Sequence, residues 1–113
     1  MFHIVAQNIQ FVKCFLKILQ FYFSKIPSRQ YVWLYESIAC YLAGQKKKDN
    51  SLKIEAWDVF ENDFYNMQDC YGVAYRFGEA IFRLYPNESL TIIKHPEIYK
   101  ERLIEMYNSE ILT

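Results

Sequence analysis

Only three glycines and three prolines punctuate this 113-residue chain. Sandwiches and barrels of β-strands need turns at short, regular intervals, and those turns draw on clusters of Gly, Pro, Asn and Asp. Too few such residues are present here, so long helices joined by short loops are the expected architecture. The chain is 52% apolar and 19% aromatic, which excludes a disordered tail. Its length suffices for one core without disulfides or a structural metal. The expectation is one all-α domain over residues 1–113, a compact bundle of four to five helices.

Apolar spacing and punctuation place the helices. Val5, Ile9, Val12, Leu16, Leu19 and Phe23 recur at steps of four and three, which predicts a first helix from His3 to Lys25, ended by Pro27. Gln7, Gln10, Lys13, Lys17, Gln20 and Ser24 form one polar stripe on that helix, a pattern that argues against a membrane span. The start carries neither the basic region nor the small-residue cleavage site of a signal peptide, so a cytoplasmic protein is expected. A second helix is predicted over 29–43, with Tyr31, Leu34, Tyr35, Ile38, Tyr41 and Leu42 inward and Gly44 as its left-handed cap. A third spans 52–71, with Trp57, Phe60, Phe64 and Met67 facing the core. A fourth spans 73–85, with Val73, Phe77, Ala80, Ile81 and Leu84 inward and Gly78 at a close helix contact. Residues 90–93 read equally as a helical turn or an extended connector, and a last helix starts at Pro96.

The 13 basic and 13 acidic residues cancel overall but are unevenly distributed. Residues 1–54 hold eight Lys or Arg and two acids, a net of +6, whereas residues 55–113 hold five and eleven, a net of −6. Between Lys53 and Arg76 lie Glu55, Asp58, Glu61, Asp63 and Asp69 with no basic residue. On a continuous helix Glu55, Asp58 and Glu61 share one broad stripe, edged by Tyr65 and Tyr71 and turned away from Trp57, Phe60 and Phe64. Such a stripe is either a solvated face or a docking surface for a basic protein, in which tyrosines supply rigid contact area.

No chemistry-bearing motif competes with it. Cys14, Cys40 and Cys70 are odd in number and widely spaced, without metal-ligand spacing, and read as reduced buried thiols. His3 and His95 are isolated, and no P-loop, dinucleotide fingerprint, zincin or nucleophile-elbow pattern occurs. No catalytic residue, cofactor or metal is expected. Lys13, Lys17, Lys25, Arg29, Lys46, Lys47, Lys48 and Lys53 could neutralise phosphates. The balanced total charge and the missing binding motif argue against a dedicated nucleic-acid binder.

The residues match no family signature. By class alone the profile is similar to the small helical proteins that bacteria and phages use to bind and block another protein, toxin-immunity proteins being the familiar case. The likeness is one of size, charge and fold class. It implies a non-enzymatic inhibitor that occludes a basic partner, such as a nuclease toxin, through Glu55, Asp58, Glu61, Asp63, Tyr65, Asp69 and Tyr71. A structural subunit or homodimer is the alternative. A nucleic-acid binder using the basic half is the second alternative.

Overall fold

The structure is a computed structural model that describes residues 29–44 and 54–112. Of these, 81% are helical and none is in a strand, so the chain is an all-α bundle with five α-helices among the described residues. They are α1 (Val32–Ala43), α2 (Trp57–Asn62), α3 (Cys70–Leu84), α4 (Ser89–Lys94) and α5 (Pro96–Met106). The helix expected over residues 3–25, Cys14, and the seven lysines of the first half lie outside the described residues. Among the described residues no helix is long and apolar enough to cross a membrane.

Helix α1 is the centre of the bundle. A 3-10 turn over Arg29–Tyr31 leads into it, and Gly44 ends it at φ 69°, the left-handed conformation that glycine adopts without strain. Every residue from Trp33 to Cys40 is buried, including Glu36 and Ser37, so the helix is enclosed on all sides rather than on one face. Ser37 meets this enclosure by donating its hydroxyl back to the Trp33 carbonyl at 2.6 Å. Leu42, expected inward, is instead 52% exposed, because α1 leaves the core in its last turn.

Helix α3 packs along α1 in the largest interface among the described helices. Val73, Phe77, Ala80 and Ile81 face inward as their spacing predicts, while Leu84 emerges at the helix end. Gly78 marks the close approach. A Cβ there would stand 2.2 Å from the Ser37 carbonyl oxygen and 2.9 Å from the Tyr41 Cβ. Tyr41 lies over this point, with its ring 5.8 Å from that of Tyr75 and stacked on Phe82 at 5.0 Å.

Residues 89–94 are helical, which resolves the ambiguous connector, and Pro96 opens α5 as its first residue. Past Met106 the helix widens to i→i+5 hydrogen bonding over Tyr107–Ile111, with the Leu112 N–H donating to the Tyr107 carbonyl at 3.1 Å. This wider turn carries Tyr107 into the core. Its ring stacks on Phe60 at 4.8 Å and meets Trp57 edge-on at 5.4 Å. Its hydroxyl donates to the Glu55 carbonyl at 2.6 Å. Trp33, Trp57, Phe60, Phe64, Phe77 and Tyr107 thus form one continuous aromatic cluster.

Candidate functional site

The acidic segment departs from the single helix expected over residues 52–71. Ile54, Glu55 and Ala56 precede any helix, α2 lasts six residues, and Asp63 breaks it at φ −140°, ψ 39°. A 3-10 turn over Phe64–Asn66 follows, Met67 is extended, and α3 begins at Cys70. Across the break Asn66 donates its side-chain amide to the Asp63 carboxylate at 2.6 Å. The core-facing set survives it, with Phe60, Phe64 and Met67 buried and Trp57 packed against them.

The continuous stripe expected of Glu55, Asp58 and Glu61 is therefore replaced by residues in different local settings. Glu55 lies in the extended lead-in, half-buried, its carbonyl engaged by Tyr107. Asp58 is exposed in the first turn of α2, where a carboxylate complements the helix dipole. Glu61 is occupied from two sides: it accepts from the Trp57 indole N–H at 3.1 Å and pairs with the Lys100 ammonium of α5. Asp63 is exposed. Asp69 caps α3, accepting from the Gly72 N–H at 3.3 Å. A Cβ on residue 72 would fall 2.2 Å from the Asp69 Oδ2 and displace that capping carboxylate. Asp69→Ala should accordingly lower the unfolding free energy by about 1 kcal/mol in urea titration, and an unchanged midpoint would leave the cap without energetic weight.

Tyr65 and Tyr71 sit differently again. Tyr71 is half-buried against the core, its ring 6.2 Å from that of Phe64. Tyr65 is 58% exposed, yet its hydroxyl turns inward and donates to the Oε2 of Glu36. A shallow open recess of about 470 Å³ lies beside it, lined by Val32, Glu61, Asn62, Phe64 and Tyr65.

Glu36 is the residue that the sequence reading missed. It is 2% exposed, and its Oε1 has no hydrogen-bond partner among the described residues. Burial pushes its pKa above the ordinary carboxylate range, only partly countered by the Tyr65 hydrogen bond. Its neighbours are pushed the same way. Burial and then the Glu36 carboxyl raise Cys40 to about 12 and Cys70 to about 11, and burial raises Tyr65 and Tyr71 well above the ordinary phenol range. Both thiols are free and buried, as expected of them. A signal for Glu36 was present: it is the one charged residue between Arg29 and Lys46, in an otherwise apolar stretch.

Three of the five basic side chains in the second half, Arg83, Lys100 and Arg102, pair with acids of that half. Arg83 bridges Glu79 at 3.0 Å and also reaches Glu110, and Arg102 faces Glu88 at 3.8 Å. His95 is exposed beside Glu97 at 3.6 Å, away from the buried thiols. Among the described residues no group of three or more His, Cys, Asp or Glu is arranged to hold a metal ion. What residues 58–66 present to solvent is two carboxylates, Asp58 and Asp63, two amides, Asn62 and Asn66, and the ring of Tyr65. No known family model matches the chain, and no curated protein or solved structure is detectably similar to it.

Proposed function

We propose that this chain is a non-enzymatic protein-binding module that blocks a basic partner, in the manner of an inhibitor or an immunity protein of bacteria or phages. The docking surface is the segment from Glu55 to Tyr71. One observation carries the reading: exposed Asp58 and Asp63 share a short segment with an exposed aromatic ring, Tyr65, which is held from the interior by Glu36 beside an open recess. A tethered tyrosine offers contact area at little further entropic cost, and unneutralised carboxylates around it steer a cationic surface into place. Glu55, Glu61, Asp69 and Tyr71 frame this centre, with Glu61 and Asp69 already engaged in structural contacts. The segment is broken into short elements, so it presents a compact patch rather than a long rod.

The test follows from that division of labour. Charge reversal at Glu61 would set a lysine against Lys100 and confound binding with folding. Asp58→Lys/Asp63→Lys alters exposed positions, and urea titration of the variant checks that loss of the Asp63–Asn66 bond and of the Asp58 charge in the first turn of α2 leaves the fold intact. Captured at low salt from the native source, a basic partner should be retained by the wild type and released at high salt. The double variant should bind it at least about tenfold more weakly, as expected when close interfacial charges are reversed. Equal affinity of the two proteins for that partner would sink the assignment of the surface.

A further inference from the structure

We infer that the far side of α1, formed by Leu34, Tyr35, Ile38 and Ala39, is a docking face for residues 3–25 of this same chain, which lie antiparallel along it. The partners of α1 named above all meet its other side. Trp33 joins the aromatic cluster, Glu36 takes the Tyr65 hydroxyl, and Ser37 and Tyr41 meet Gly78 of α3. Those positions share one half of the helix circumference, and Leu34, Tyr35, Ile38 and Ala39 share the other. The second half is just as dry, since none of these four is more than 2% exposed. A helix flank stays dry only under a cover.

The larger interfaces of the described helices lie elsewhere. Those of α4 and α5 are with each other and, for α5, with the wide turn at its own end rather than with α1. Helix α2 meets α1 through Trp33, on the side already assigned. Of the stretches outside the described residues, 45–53 has one apolar side chain, Leu52, in a run of lysines and small polar residues.

Residues 3–25 have the required face. Val5, Ile9, Val12, Leu16, Leu19 and Phe23 repeat at helical spacing, and the polar stripe that includes Lys13, Lys17 and Ser24 lies apart from them. Seated on α1, the segment keeps that stripe in solvent and brings no charge to the apolar flank. A helix of that length runs about 35 Å, enough to cover the roughly 18 Å of α1 from end to end. The link is short: Pro27 stops the first helix, and the lead-in turn of α1 starts at Arg29. Consecutive helices on so short a connection lie antiparallel against each other. Tethering also favours this segment over the same face of a second copy, which would have to give up free translation and rotation to bind.

The test uses the full chain and leaves the acidic surface untouched, so its outcome is independent of the docking proposal. In the wild type, with labelled methyl and tyrosine groups, the Tyr35 ring should show nuclear Overhauser contacts to Leu16 or Leu19. Contacts to Ile92, Ile93 or Leu103 in their place would make α4 and α5 the cover and overturn the inference. Spin labels on the polar stripe then read the direction. Ser24→Cys and Lys17→Cys are each labelled in a Cys14→Ala background, where the other thiols, Cys40 and Cys70, are buried. The label at residue 24 should remove most of the amide intensity of Leu34 and Tyr35, and the label at residue 17 that of Ala39 and Leu42. Identical profiles from the two labels, or none, would overturn the antiparallel seat. Spin-labelled protein mixed with isotope-enriched, unlabelled protein should leave these signals intact. Loss of intensity in the mixture would give the face to a second copy.

Discussion

Trp33→Ala lowers the unfolding free energy by about 3–5 kcal/mol, the range for removing a fully buried aromatic side chain. Trp33 is 0% exposed and touches four other rings, with centroids 4.8 Å from Trp57, 5.9 Å from Phe77, and 6.0 Å from both Phe60 and Tyr31. Each such pair adds about 0.5–1.5 kcal/mol beyond burial itself. Its indole N–H also donates to the Gln30 carbonyl at 3.0 Å, tying the lead-in turn to α1. Truncation therefore empties the point where α1, α2 and α3 meet. Domains of this kind are stable by about 5–15 kcal/mol in total, so the variant stands near the edge of folding. Trp33→Phe, which keeps one ring, should lose much less. Urea titration decides it: the midpoint should fall steeply for alanine and modestly for phenylalanine. A loss under about 1 kcal/mol for alanine would mean the cluster collapses around the gap and carries little specific packing.

The second large effect is Gly78→Ala, where intuition from helix propensity points the wrong way. Alanine in the middle of a helix is favoured over glycine by about 1 kcal/mol. Here the added methyl would meet a backbone carbonyl, Ser37 O, at 2.2 Å, and a carbonyl cannot rotate aside as a side-chain tip can. α1 and α3 must separate, and the stacked Tyr41–Phe82 pair opens with them. Overpacking of this kind costs about 1–3 kcal/mol, so after the propensity gain of about 1 kcal/mol the net loss is up to about 2 kcal/mol. Thermal unfolding of the variant should start earlier. An unchanged or raised midpoint would show that the helices do not approach as closely as Gly78 implies.

Where the sequence was informative, a backbone requirement left its mark in residue type. Gly44 at a left-handed cap, Pro96 at a first helical position and Gly78 at a helix crossing were all readable because few other residues serve there. The inner face of α3 was readable as well, since one side of it faces the core and its apolar period shows. Helix α1 was only half readable: enclosed on every side, it has no polar face against which a period can be measured. The break at Asp63 was hidden because Trp57, Phe60, Phe64 and Met67 keep a helical spacing across it, and all four do pack inward. The Asn66–Asp63 side-chain bond across the break leaves no trace in that spacing. At the candidate surface the exposed ends were foreseeable in Asp58, Asp63 and Tyr65. That Glu61 is bound by Lys100, and Tyr65 by Glu36, depends on partners 39 and 29 residues away.

The wide helical turn at Tyr107–Ile111 has a consequence for how the chain assembles in time. Tyr107 donates to Glu55 across 52 residues and contributes a ring to the aromatic cluster. On a ribosome, those five residues emerge after every other described element. Until they do, Trp57 and Phe60 have an uncovered side, and the lead-in to α2 lacks the bond that pins it. A nascent chain stalled before residue 107 can pair α1 with α3 but exposes apolar rings to its neighbours. Among the described elements this closure comes last in order of synthesis, and the bond that pins the lead-in to α2 can form only with it.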